Sequence, residues 1–360
     1  MHRILSSQTP EKIGETVKLD GWVHSVRTMG DKLIFVDLRD STGLVQLVCY
    51  KPDMNEDTAL TASELKPEFV IEVEGIVQAR GEKQINPDLE TGTVEVAVSS
   101  ITILNKAKTP PFELDKDTLP VDEKVRMKYR YLDLRTQRLQ RNIRLRSNWV
   151  QACREFLFKE NFVEIETPLL TKATPEGARD FVVPSRLQPG KFFALPQSPQ
   201  QYKQLLMTAG FERYFQIARC LRDEDLRADR GFEHSQVDIE MSFVEREDVM
   251  NLIEAMTIYA TEKLGFTIKK KPFPRITYKE SMEKYGADKF DLRDEKEKEA
   301  GILAYAWVID FPFFEKDDKT GSWTFTHNPF SNPLPEYRED HLAGKNTENI
   351  LTSQYDLVCN

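Results

Sequence analysis

The sequence has few cysteines, no long apolar run and no internal repeat, and each absence narrows what the chain can be. Its four cysteines, Cys49, Cys153, Cys220 and Cys359, lie far apart and form no CxxC pair. That spacing suggests neither a zinc site nor a disulfide framework, and it fits a reducing cytoplasm. No stretch approaches the roughly 18 apolar residues of a membrane span, and the opening MHRILSSQTPEKIGE has no apolar core of a signal peptide. The expectation is a soluble, cytoplasmic protein without a membrane partner. A net charge of −9 argues weakly against nucleic acid, but a local basic patch can act on an acidic chain, so composition leaves the partner open.

With 360 residues, 40% of them hydrophobic and 30% charged, the chain exceeds the size at which one core stops growing, about 250 residues. Two domains are expected. From Thr16 to Leu104 the chain reads as five β-branched runs: TVKLDGWVHSV, KLIFVDLRD, GLVQLVCY, FVIEVEGIVQA and TVEVAVSSITIL. Turn formers separate them, and the polar stretch from Asp53 to Leu65 has room for one helix before the fourth strand. Five strands with that insertion predict a small Greek-key barrel of the OB type. Such barrels bind single-stranded nucleic acid by stacking bases on aromatics and meeting the backbone with cations, for which Phe35 and Arg27 are the candidates. A core Phe35 and a solvated Arg27 fit the same pattern equally well. The proline-bearing, charge-rich stretch from Lys106 to Lys128 has no clear period and reads as a connector.

Beyond it, Trp149, Val150, Cys153, Phe156 and Leu157 follow helical spacing between Asn142 and Lys159, and the strand-like FVEIETP comes next, ended by Pro168. FALPQSPQQYKQLLMTAG reads as a strand, a turn and a helix start that places Gln200 and Lys203 on one face, where an amide and an ammonium can hold a small polar substrate. A solvated surface pair has the same spacing. In FQIARCLRDEDLRADRGFEHSQVDIEMSF two strand-like runs flank a loop opening with Arg222-Asp223-Glu224. An arginine fork at a strand end suits a phosphate and a phosphoryl-centred transition state, and a surface salt-bridge hairpin is the plainer alternative. Trp22, Trp149 and Trp307 read as core, and His24 and His341 have no partner in view.

Together these segments resemble the class II aminoacyl-tRNA synthetases, and within them TPEGARDF, LPQSPQQYKQLLM, RDEDLRADR and QVDIEMSF are similar to the aspartyl enzymes of bacterial type. The resemblance covers essentially the whole chain. It implies an α+β protein in which residues 1–105 form an OB-type anticodon-binding barrel, residues 106–135 a hinge, and residues 136–360 a class II antiparallel sheet flanked by helices. The implied reaction is ATP-dependent activation of L-aspartate and its transfer to tRNA(Asp), with tRNA(Asn) left open as a second acceptor. The alternatives are a non-catalytic tRNA-binding paralogue and an enzyme for asparagine or lysine.

Residue by residue, the resemblance implies that Arg222 and Glu224 are catalytic, with Arg222, Asp223, Glu224 and His234 on ATP. His234 stands where the family often stacks a phenylalanine on adenine. Aspartate falls to Glu176, Ser198, Gln200, Lys203, Arg222, Gln236, Asp238 and His327, with Asn328 in the place of a common second histidine. Asp356 matches a metal-binding aspartate for the Mg2+ of ATP. FKENFVEIETPLL matches the first class II motif, which puts Pro168 at a homodimer interface. Arg27, Met29, Phe35, Gln46 and Glu95 are the implied anticodon contacts. Three departures stand out: Lys289–Ala304 is short where bacterial relatives carry an inserted domain, Gly231 replaces a common glutamine, and the chain stops at Asn360 before the third class II motif. That last departure carries the expectation of a fragment, lacking two arginines and a sheet strand, with an exposed sheet edge and low solubility.

Overall fold

The computed structural model describes residues 2–174, 178–226, 231–317, 321–326 and 331–360, which leaves Glu176, His327 and Asn328 outside the described residues. The chain divides into two compact units, Met1–Ile143 and Arg144–Asn360.

The first unit is built on strict alternation. Strands β1 (Arg3–Ile4), β2 (Thr16–Met29), β3 (Leu33–Arg39), β4 (Leu44–Tyr50), β5 (Val70–Ala79) and β6 (Val94–Asn105) lie in the order β1-β2-β3-β4-β6-β5, and β5 pairs back onto β2 to close a barrel. Every other residue points in: Val17, Leu19 and Val23 from β2 meet Ile34, Val36 and Leu38 from β3, and Val45, Leu47, Ile71, Val73 and Val96 complete the core. The period of two does this, because successive side chains leave opposite faces of a strand.

Gly75 sits at a register shift in the β5–β6 ladder. A Cβ there would collide with the Ala97 carbonyl and the Val96 side chain, so only glycine lets β5 serve two partner strands. Helix α1 (Glu56–Glu64) starts at Asn55, whose side chain accepts a hydrogen bond from the Thr58 amide, and it buries Ala62 in the barrel core.

Two expectations need amendment. A sixth strand, β1, runs parallel to β2, held where Asp40 accepts hydrogen bonds from the Ser6 amide (2.6 Å) and hydroxyl (2.7 Å). Two residues are too few to show an alternation. The connector also contains helix: α2 (Glu123–Lys128) and α3 (Arg130–Asp133). Asp122 caps α2 by accepting from the Lys124 and Val125 amides, a local signal that a search for periodicity misses.

Helix α4 (Gln137–Lys159) begins five residues before the stretch read as helical. The second unit then contains β7 (Val163–Glu164), β8 (Val182–Pro184), β9 (Phe192–Ala194), α5 (Gln200–Thr208), β10 (Arg213–Leu221), β11 (Glu233–Met241), α6 (Arg246–Lys263), β12 (Arg275–Thr277), α7 (Tyr278–Tyr285), α8 (Glu295–Glu299), β13 (Tyr305–Ile309), β14 (Phe314–Lys316), β15 (Trp323–Phe325), α9 (Arg338–Ala343) and β16 (Tyr355–Cys359). Its larger sheets are β11-β10-β7 and β12-β13-β16, three strands each among the described residues. FVEIETP is strand over only two residues.

Helix α6 joins the two sheets. Its Met256 and Ala260 pack with Cys153, Leu157 and Phe215 behind the first sheet, and its Met250 packs with Phe273 and Trp307 behind the second; Ile253 touches both groups. Glu254 on the same helix accepts hydrogen bonds from Trp307 Nε1 (2.8 Å) and the Phe273 amide (2.9 Å). A carboxylate in that position satisfies two partly buried donors that burial would otherwise leave unpaired.

Candidate functional site

In the second unit the site grows from the β10–β11 ladder. Phe215, Val237, Ile239 and Met241 turn to the core, so the alternate residues, His234, Gln236, Asp238 and Glu240, share the opposite face. Directly across from them in register stand Cys220, Ala218 and Gln216, paired with His234, Gln236 and Asp238. The face is therefore a row of polar groups, with the small Ala218 opposite Gln236.

Helix α5 brings a cation to this row. Lys203 Nζ donates to Asp238 Oδ1 at 2.9 Å and lies 3.4 Å from Glu240 Oε2, and Gln236 Nε2 donates to the same Asp238 oxygen at 3.5 Å. An ammonium has three donors, and among the described residues these two carboxylates account for two. The second Asp238 oxygen and Arg222 Nε are buried and make no hydrogen bond among the described residues. Unmet polar atoms of this kind cost about 1–3 kcal/mol each unless a ligand or water meets them.

Deeper residues hold the row in place. Gln216 accepts hydrogen bonds from the Tyr214 hydroxyl (2.8 Å) and the Thr167 hydroxyl (3.0 Å). Burial, and after it the neighbouring Asp238 carboxylate, push the Tyr214 phenol well above its ordinary value, so it stays a neutral donor. Gln197, 1% exposed, clamps the segment that begins at Ala178: it accepts from the Ala178 amide (3.0 Å) and donates to the Ala178 carbonyl (2.9 Å) and to Asp180 (2.6 Å). Sequence reasoning missed Gln197, Tyr214, Gln216 and Glu240. The readable signal was a glutamine inside the apolar run FQIARC, where a polar residue needs a partner.

At the other end of the row, the Arg222 amide donates to the Phe232 carbonyl at 2.8 Å, and the Asp223 amide to the Arg179 carbonyl at 3.0 Å. These bonds pin the opening of the charged loop. Desolvation, then the nearby Arg222 guanidinium, lower the His234 pKa, with Glu224 opposing, so the imidazole is neutral at pH 7. Glu224 is exposed. Ser198 and Gln200 meet at the start of α5, where the Ser198 hydroxyl accepts from the Gln200 amide at 3.3 Å. Asp356 stands opposite Val308 in the β13–β16 ladder, and no three His, Cys, Asp or Glu side chains converge among the described residues. Pro168, Leu169 and Leu170 are exposed beyond β7.

The barrel carries its own polar array. Phe35 is flanked by buried Ile34 and Val36 and points outward, half-buried, which rules out the core reading. Arg27, opposite it in register, lies 5.9 Å from its ring centroid, a cation–π distance. Arg27 Nη2 also donates to Gln46 Oε1 (3.1 Å) and pairs with Asp37 (3.3 Å), while Gln46 Nε2 donates to Glu95 Oε2 (3.0 Å). Arg80, 3.6 Å from Glu95 and absent from the sequence reading, extends the chain of contacts. Met29 stands 64% exposed at the end of β2. His24, read as partnerless, has Arg39 Nη1 3.1 Å from its Nδ1.

Residues 17–104 match the family described as OB-fold nucleic acid binding domain. The chain is 52% identical over 307 residues to an aspartate–tRNA ligase from Staphylococcus saprophyticus, covering 85% of this chain and 52% of that protein. It is 54% identical over 286 residues to an aspartate–tRNA(Asp/Asn) ligase from Natranaerobius thermophilus, covering 79% and 48%. The chain thus spans about half the length of the curated relatives it matches. Its fold is similar to that of an asparaginyl-tRNA synthetase from Pyrococcus horikoshii solved with asparaginyl-adenylate, at a TM-score of 0.72 and 24% identity, over 90% of this chain and 79% of that one. The polar row on the antiparallel β10–β11 ladder, with Arg222 at its end, falls within residues 122–360, which match the family described as tRNA synthetases class II (D, K and N), and the chain belongs to that family.

Proposed function

We propose that the protein is an aspartate–tRNA ligase, in which the barrel, residues 1–105, binds the anticodon, residues 106–135 form a hinge and residues 136–360 activate the amino acid. The observation that carries this reading is the row on β11 with Lys203 above it. Asp238 and His234 are four residues apart, about 13 Å of strand at roughly 3.3 Å per residue. That length suits an aminoacyl-adenylate, with the amino acid near Lys203 and the nucleotide near His234.

Lys203 supplies a cation for the aspartate side-chain carboxylate, and Asp238, Gln236 and Glu240 supply acceptors for its ammonium, with Ser198 and Gln200 at the same end. Asparagine would leave the Lys203 donor poorly matched, which is the basis for rejecting it. Glu176 and His327 are assigned to aspartate by resemblance alone. Arg222 meets the α-phosphate and the reacting carboxylate, Asp223 and Glu224 help position ATP, and neutral His234 stacks on adenine. An α-carboxylate oxygen of aspartate attacks the α-phosphorus, the bond to the bridging oxygen breaks, and pyrophosphate leaves. The terminal ribose hydroxyl of tRNA then attacks the activated carbonyl, releasing AMP and giving up its proton. Arg222 neutralises charge that grows on the phosphorus centre, so positioning and electrostatics provide the catalysis.

Magnesium enters with ATP. Such ions take one or two carboxylates plus phosphate oxygens, a role open to Asp356. On the barrel, Arg27, Met29, Phe35, Gln46 and Glu95 read the anticodon of tRNA(Asp), and whether tRNA(Asn) is also accepted is decided on that face. The exposed Pro168-Leu169-Leu170 run supports pairing with a second copy of the chain, and a cytoplasmic location fits the free cysteines. The test is exchange of labelled pyrophosphate into ATP with aspartate, asparagine or lysine. Aspartate-dependent exchange is expected; exchange with another amino acid alone overturns the assignment, and none at all beside intact tRNA binding favours a non-catalytic tRNA-binding protein.

A further inference from the structure

Within the first unit, a cavity of about 420 Å3 opens between the outer face of the barrel and the connector. Its lining includes Trp22 from β2, Tyr129 between α2 and α3, Tyr131 from α3, and Lys106 and Lys108 from the segment that follows β6. Lys106, Lys108 and Tyr131 fall outside the barrel's family match, and nothing in the function proposed above uses them.

The cavity is preorganised by a buried carboxylate. Glu68, 3% exposed, accepts two hydrogen bonds from Arg39 Nη2 (3.0 and 2.8 Å) and pairs with Arg135 from the connector. Arg135 also lies 5.7 Å from the Trp22 ring centroid, so the pair fixes the connector against the wall that carries Trp22. Tyr131 at the rim is 65% exposed. Lys108 makes no ion pair among the described residues, whereas Lys106 pairs with Glu64 at 3.1 Å. An open aromatic ring beside an unpaired ammonium is the combination that binds a nucleotide: the base stacks and the phosphate is neutralised.

The occupant is assigned to an RNA strand because Trp22, in the cavity lining, and Arg27, beside Phe35, lie on the same strand, β2. Trp22 and Arg27 are five residues apart on β2, about 16 Å at roughly 3.3 Å per residue. That distance equals roughly five stacked nucleotides at about 3.4 Å each. We propose that this cavity holds one flared nucleotide of the RNA bound on the barrel, its base against Tyr131 and its phosphate on Lys108. The inference rests on the tRNA-binding reading above.

The experiment measures affinity for a tRNA(Asp) transcript by fluorescence anisotropy across a salt series, with wild-type protein and the variants Tyr131→Ala, Tyr131→Phe and Lys108→Ala. Chemical probing of the bound transcript runs in parallel. Tyr131→Ala should weaken binding about tenfold and expose one nucleotide outside the anticodon, and Tyr131→Phe should restore both. Lys108→Ala should lower the slope of log affinity against log salt by about 0.7. Aspartate-dependent exchange should stay unchanged, which separates these effects from misfolding. If wild-type protein does not bind the transcript, the tRNA reading itself fails and the cavity assignment falls with it. If wild type binds and the variants stay within twofold with an unchanged footprint, the cavity assignment alone is overturned.

Discussion

In the barrel, charged side chains meet one another on the outside of a closed core, from Arg27 through Gln46 to Glu95. In the second unit they meet between a helix and one face of a ladder, where Lys203 faces Asp238 and Glu240. The barrel core has a single continuous apolar cluster, whereas behind the second site the apolar residues form separate groups joined by α6. The difference teaches where precision is needed. A surface that receives a flexible strand can be built from neighbours on adjoining strands, but a small substrate must be surrounded by elements far apart in sequence.

The largest expected effect sharpens that contrast at the ladder. Arg222→Ala should lower aspartate-dependent pyrophosphate exchange by about 10²–10³-fold, the usual cost of removing one preorganised charge-stabilising donor, while tRNA affinity holds within twofold. Comparable loss of both would show that the two units do not divide the work.

Stability offers the next test. Ile71 is fully buried in the barrel core, and Ile71→Ala should cost about 2–5 kcal/mol. Denaturant unfolding followed by far-UV circular dichroism should show the shift. If exchange activity follows the same midpoint, the barrel and the second unit unfold together; a separate, unmoved activity midpoint is the expected result.

Phe35→Ala addresses the outer face of the barrel. Loss of a stacking platform costs about 1–3 kcal/mol per base, so tRNA charging at low tRNA concentration should drop while exchange without tRNA is untouched. An unchanged Michaelis constant for tRNA would remove Phe35 from the interface.

The smallest effect is a pH dependence at Asp40. Burial raises its pKa, but hydrogen bonds from Ser6 and Thr42 outweigh that and leave the carboxyl below its ordinary value. The folded state therefore binds its proton more weakly than the unfolded state. Its contribution is complete above about pH 4 and disappears as the pH falls through the lower, folded value. Ser6→Ala should remove about 1 kcal/mol at pH 7 and less at pH 3, read from urea midpoints; an equal loss at both values contradicts the linkage.

Legibility differed between the regions for a physical reason. The alternation in KLIFVDLRD and GLVQLVCY is a local signal that a barrel only has to close, and the Asp53–Leu65 insertion fell where α1 formed. The connector helices escaped notice because α2 depends on a cap at Asp122 more than on any apolar stripe. Gln200 and Lys203 were readable as one helix face, yet nothing in their spacing told which carboxylates Lys203 would meet.

The sequence by itself determined the barrel, the order of the β10–loop–β11 segment and the family, because periodicity and long motifs are carried by neighbouring residues. Tertiary structure alone decided that Gln216 braces the ladder and that Glu68 draws Arg39 and Arg135 together. Those outcomes depend on contacts across 29, 49 and 67 positions of chain. No local pattern encodes such contacts; they exist only once burial forces each polar group to find a partner.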